Sequence, residues 1–130
     1  TKQELYVMNA NGSARRSVSR SCGGEFTPRF APDSTKLLFI SADAPQWCGL
    51  ILGQVNVDGS ARTVFAGAWA TIADWLPDGN IVCACGKERS STRTLVVVDP
   101  ETGATVSAPI VVARTAIENI SVAASVSLEE

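Results

Sequence analysis

The chain of 130 residues contains no histidine, and that fact bounds its chemistry more than any other. It removes the commonest general base, the commonest metal ligand and every Ser-His-Asp or Cys-His arrangement. Four cysteines remain: Cys22, Cys48, Cys83 and Cys85. Cys83 and Cys85 lie two apart in Ile81-Val82-Cys83-Ala84-Cys85, so on a strand they share one face. They read as small buried thiols. A Cys-x-Cys metal site is the sharper alternative, and it lacks a second ligand pair nearby. Asp33, Asp58, Asp78 and Glu101 fall in turn sequences. The aspartates there suit capping of local backbone N–H groups, and Glu101 reads as solvated. Asp74, beside Trp75, has no such explanation.

These residues sit in a repeat. Asn9-Ala10-Asn11-Gly12-Ser13-Ala14-Arg15 returns 47 residues later as Asn56-Val57-Asp58-Gly59-Ser60-Ala61-Arg62. Ala31-Pro32-Asp33-Ser34 returns 45 residues later as Leu76-Pro77-Asp78-Gly79, and a weaker third copy, Asp99-Pro100-Glu101-Thr102-Gly103, follows 43 residues after Asn56. Short apolar runs rich in β-branched and aromatic residues separate these turns. They predict strands at Leu5–Met8, Arg15–Ser19, Phe26–Phe30, Lys36–Ser41, Leu50–Val57, Arg62–Ala66, Thr71–Trp75, Asn80–Cys85, Thr94–Val98 and Ala104–Val112. Ile117–Leu128 reads as a final strand, and Gly53 as a possible bulge. No segment carries a helical stripe over ten or more residues, so essentially no α-helix is expected. A period near 45 residues with four strands per unit predicts an all-β fold of antiparallel four-stranded propeller blades.

Composition agrees with a packed fold. The chain is 45% hydrophobic and 18% charged, with a net charge of −2. That is too apolar for a disordered chain, and no basic stripe supports nucleic-acid binding. Arg15, Arg16 and Arg20 read as a solvated face. No apolar run approaches the roughly 18–20 residues that span a bilayer. Thr1-Lys2-Gln3-Glu4-Leu5 has no charged-then-apolar pattern, so no signal peptide is read there, and a start at a strand suggests an excised segment.

The motif LYVMNANGS followed by TPRFAPDSTKLLFIS resembles the PD40, or TolB-like (WD40-like), β-propeller repeat. Pro28, Phe30, Pro32 and Asp33 occupy its Pro-x-Trp-Ser-Pro-Asp-Gly turn in one copy, and Trp75, Pro77, Asp78 and Gly79 in the next. Phe30 stands at the Trp position, Ser34 at the Gly and Ala73 at the first Pro. The match covers roughly residues 4–105. It implies a propeller segment: residues 1–19 an outer half-blade, 20–66 and 67–112 two whole blades, and 113–130 the terminal strand of a further blade. Two whole and two partial blades cannot close a ring, since a ring needs at least about four. Either the chain contacts the rest of a longer protein, or two copies complete a ring.

On that frame Cys22 and Cys48 lie in loops on one rim, where a disulfide would tie the loops together and imply an oxidising, periplasmic or secreted setting. The alternatives are two unrelated thiols and a cytoplasmic chain. Arg29 and Asp74, matched at an offset of 45, would face the central channel on adjacent blades and pair or bind a ligand. Trp47 and Trp69 would stand in loops of the rim formed by Ser21–Gly24, Ala42–Cys48, Ala66–Ala70 and Lys87–Arg93, as anchors for a partner. The resemblance therefore implies a non-catalytic scaffold for a protein or peptide, without cofactor or metal. The rival reading is an accessory or catalytic propeller of a hydrolase or lyase, and a third is a purely structural module.

Overall fold

The computed structural model describes residues 3–20, 23–42, 50–85 and 92–113, apart from the side chains of 66–69, 112 and 113. Every regular element in that set is a strand: β1 (Tyr6–Val7), β2 (Arg16–Ser17), β3 (Glu25–Phe30), β4 (Lys36–Ser41), β5 (Ile51–Asn56), β6 (Thr63–Trp75), β7 (Ile81–Cys85), β8 (Thr92–Val98) and β9 (Ile110–Ala113). β1 and β2 form a hairpin by themselves, and the other seven follow in spatial order β3-β4-β5-β6-β7-β8-β9, all antiparallel. Among the described residues no helix is long and apolar enough to cross a membrane. The expected strand over Ile117–Leu128 lies outside the described residues.

β6 is one 13-residue strand, where the sequence suggested two. Its first part, at Thr63 and Val64, pairs with β5, and Ala70–Trp75 pairs with β7. One strand is therefore the outermost member of the first four-stranded sheet and the innermost member of the second. Two four-stranded antiparallel sheets and one two-stranded hairpin result, the arrangement of a partial propeller.

Stacking explains why KLLFIS is apolar throughout. Leu37 and Phe39 point to one side, into a cluster with Leu5, Val18 and Val55 beneath the β1–β2 hairpin. Leu38 and Ile40 point to the other, into a cluster with Leu52 and Phe65 of the same sheet and Ala73, Trp75, Ile81 and Cys83 of the second. A strand covered on both faces loses the usual polar alternation. Leu38, Phe39 and Leu52 are all but fully buried, each worth about 1.5–3 kcal/mol of transfer free energy.

Phe39 also explains Gly53, which faces it across the ladder. A Cβ on Gly53 would lie 2.5 Å from the Phe39 ring. The expected irregularity at Gly53 occurs on its β6 side, between Ile51 and Gly53, while the β4 ladder is regular. Arg62 lies over the same ring at 5.1 Å, and its Nε and Nη2 donate to Glu25 Oε1 at 3.1 and 2.7 Å. The Glu25 side chain is wholly buried and its Oε2 has no hydrogen-bond partner.

The cysteines require a correction. Cys83 and Cys85 are joined in a disulfide, not held as thiols. Nor do they match Leu38 and Ile40. The β3–β4 turn closes between Ala31 and Lys36, the β6–β7 turn between Leu76 and Asn80, one residue shorter. Phe30 pairs with Leu37 and Trp75 with Ile81. Counting inward, Cys83 corresponds to Phe39 and Cys85 to Ser41. Cys22 and Cys48, the pair suggested by the loop frame, lie outside the described residues.

Candidate binding site between the blades

The turns at one end of the sheets share a device. Asn11, Asp33, Asp58, Asp78 and Asp99 each accept, through Oδ1, the N–H of the residue two further on: Ser13, Thr35, Ser60, Asn80 and Glu101. The hydroxyls of Ser13, Thr35 and Ser60 donate to the same oxygens. Such Asx turns fix the chain reversal without help from the sheet. The Thr35 N–H and then its hydroxyl hold the Asp33 carboxyl below its usual 3.8. For Asp58 the Ser60 hydroxyl leads and its N–H follows, again lowering it from 3.8. Hydrogen bonds to the charged form favour ionisation. All five turns connect strands at the same end, so the sequence repeat marks one rim of the molecule.

On this turn rim the two sheets leave a cleft of about 290 Å³. Trp75 lies at its base, Pro32, Pro77 and Pro100 form walls, and Asp33, Asp78, Glu101 and Lys36 supply charge. The Trp75 indole N–H donates to the Arg29 carbonyl at 3.1 Å, tying the innermost strands together. Lys36 Nζ meets Glu101 Oε1 at 3.1 Å across the boundary. Glu101 is thus in contact with the neighbouring sheet and not simply solvated. With 76% of its side chain exposed, that pair contributes little to stability. A second hollow of about 170 Å³ adjoins the first and shares Lys36, Pro100 and Glu101. There Gln54 Nε2 donates to the Pro100 carbonyl at 2.8 Å.

The expected site residues fall out differently. Arg29 and Asp74 lie on the innermost strands as foreseen, but their side chains do not pair. Arg29 Nη1 donates to the Pro28 carbonyl at 3.2 Å, and Asp74 Oδ1 accepts the Trp75 N–H at 2.9 Å. The link at these positions runs from the Trp75 indole to the Arg29 backbone. Trp69 has its backbone within β6, opposite Ile51, and its side chain lies outside the described set. Trp47 and most of the opposite rim lie outside it too. The turn-rim cleft was not foreseen, although Pro32, Pro77 and Pro100 recur at its walls and mark it in the sequence. Glu25–Arg62 carried no sequence signal, since its members are 37 residues apart in unlike positions. Among the described residues no three His, Cys, Asp or Glu side chains are grouped to hold a metal.

No family model matches the chain. A Protein TolB homolog of Chlorobium luteolum is 40% identical over 40 residues, 31% of this chain and 9% of that protein. The β-propeller domain of the Trilobed protease from Pyrococcus furiosus, described as having an open velcro topology, superposes with a TM-score of 0.65. That likeness covers 85% of this chain and 35% of the other at 17% identity, and it shows the fold. Puromycin hydrolase superposes with a TM-score of 0.57 at 29% identity, over 72% of this chain and 15% of that one. The chain thus spans a small part of each protein it resembles, and it combines a distant TolB-like homology with a β-propeller fold.

Proposed function

We propose that the chain is a non-catalytic segment of a PD40-type β-propeller that acts as a scaffold for a protein or peptide partner, in a periplasmic or secreted setting. The observation that carries this reading is how the sheets are used. Stacking consumes both faces of the first sheet and the near face of the second, and it leaves the rims free to present loops. The turn rim is stiffened by Asx turns. The opposite rim holds the longer connections, with Trp47 and Trp69 as anchors. Arg29 and Asp74 lie on the channel side between the rims. Phage selection of peptides against the chain, with titration of the winners, tests this. Peptides that bind saturably and lose affinity for Trp47→Ala/Trp69→Ala, but not for Asp33→Asn/Asp78→Asn, support the loop rim. The reverse pattern moves the site to the cleft. Failure to select any saturable peptide sinks the scaffold reading.

A second reading has one specific support, the 29% identity with puromycin hydrolase over 72% of this chain. In that case the segment is an accessory propeller of a larger hydrolase. Hydrolysis of puromycin by the product of the complete gene, lost when its catalytic part is removed and this segment is kept, is the expected outcome.

A further inference from the structure

We propose that Cys83 and Cys85 form a reversible redox site, reduced by a small thiol, that fixes where the innermost strand of the second sheet carries its extra residue. Two residues of a regular strand span about 6.6 Å. The bridged pair spans 5.6 Å between Cα atoms, so the disulfide draws β7 in. β8 follows without a break, with Val96 opposite Cys83 and Thr94 opposite Cys85. β6 does not. Ala70 faces Cys85 and Ile72 faces Ala84, which leaves Thr71 as an extra residue beside the bridge. The first sheet supplies the control. Ser41 stands where Cys85 does, and the equivalent pairs, Glu25 with Ser41 and Phe26 with Ile40, are regular. Its own irregularity comes later, between Phe26 and Arg29. Both innermost strands thus carry one extra residue, and Glu25 opposite Ser41 is the counterpart of Ala70 opposite Cys85; what differs is its place, which in the second sheet is beside the bridge.

Location gives the bond a reach beyond β7. Cys83 is fully buried in the cluster between the sheets, and Cys85 packs against it half-buried at the strand end. A thiolate approaching from solvent attacks the Cys85 sulfur and expels Cys83 as thiolate, which takes up a proton. A second thiol then attacks the outer sulfur of the mixed disulfide and releases Cys85. One protein disulfide and two small thiols become two cysteine thiols and one small disulfide, with two electrons transferred. The freed thiols need separate van der Waals space in a packed core, and β7 can extend. Both changes bear on Ala70, whose N–H donates to the Leu50 carbonyl where β6 passes from the first sheet to the second.

The test uses the chain with Cys22→Ser and Cys48→Ser, so that only this pair remains. Prepared without reductant, the native protein should resist alkylation at Cys83 and Cys85, and dithiothreitol should release both. On reduction, amide hydrogen exchange of residues 70–75 and 81–85 should quicken by about tenfold while residues 36–41 stay unchanged, and reoxidation should restore it. A further Cys83→Ala/Cys85→Ala change should give the reduced pattern with or without dithiothreitol. Free thiols at both positions in air-equilibrated protein, or equal exchange in the two redox states, overturns the proposal.

Discussion

Phe39, Gly53 and Arg62 show how one side chain fixes its neighbours. The Phe39 ring lies where a Cβ of residue 53 would be, and Arg62 stacks over that ring while holding Glu25. The second sheet solves the same position with a different pair. Cys83 stands at the place of Phe39, and its cross-strand partner is Val96, at the place of Gly53. Large-with-none has become small-with-branched, and the combined volume is roughly kept. Gly53→Val alone should therefore overpack the first sheet and cost about 1–3 kcal/mol. Phe39→Cys alone should cost about 2–5 kcal/mol by leaving a cavity. The double variant should be more stable than the sum of the two, with a coupling of about 0.5–3 kcal/mol by urea denaturation. Strict additivity would show that the ring and the glycine are not mutually fitted.

At the scale of the element, the turns carry the acid response. Asp33 and Asp58 have folded values held below the usual 3.8 by Thr35 and Ser60. A carboxyl depressed on folding contributes stability that is complete above its unfolded value and lost as pH falls through its folded one. Urea midpoints should thus be flat from neutral pH to about 5 and drop below about 4. Asp33→Asn/Asp58→Asn keeps the Asx acceptor but not the titration, so its curve should fall less steeply with acid. The same turns contain a strained residue. Ser34 has φ +61° where the matching Gly79 has +88°. Left-handed backbone costs a side chain about 1–2 kcal/mol and glycine loses about 0.5–1 kcal/mol in entropy, so Ser34→Gly should gain roughly 0.5–1 kcal/mol with an unchanged denaturant slope. These turns were legible because Asn-Gly, Asp-Gly and Pro-Asp have few other uses between apolar runs. What hid was length. Thr35 makes the first inner turn one residue longer than the second, and a one-residue slip exchanges the faces of a strand. Motif matching at an offset of 45 therefore set Cys83 against Leu38, on the wrong face, while the ladders set it against Phe39. β6 hid for another reason. The crossing between sheets is made inside a strand, at Ala66–Trp69, with no turn residue except Gly67 to announce it. The cleft hid because it exists only once two sheets are stacked.

The whole molecule is a stack, and Phe30 and Trp75 report its two situations. They are equivalent by the repeat, yet Phe30 is 58% exposed and Trp75 only 6%. Trp75 has the first sheet beneath it and gives its indole N–H to the Arg29 carbonyl at 3.1 Å. Phe30 has no such neighbour among the described residues. The difference comes from position in the stack, not from the side chain, and it divides the effects of substitution. Trp75→Phe keeps most of the apolar contact and removes one donor, so the Arg29 carbonyl loses its indole partner at a cost of about 0.5–1.5 kcal/mol. Phe30→Ser takes nothing from a core and should leave stability within about 0.5 kcal/mol. It should act on association instead, because an exposed aromatic at the end of a stack is a contact surface. Light scattering across a concentration series should show a species at twice the 13.6 kDa chain mass, or larger, for the parent protein. Phe30→Ser should be monomeric over the same range. A parent chain that is monomeric throughout, or a Phe30→Ser variant that associates equally, would leave Phe30 as an ordinary surface residue and locate any self-contact elsewhere. A loss of stability in Phe30→Ser matching that of Trp75→Phe would mean instead that the first sheet is already covered there in solution.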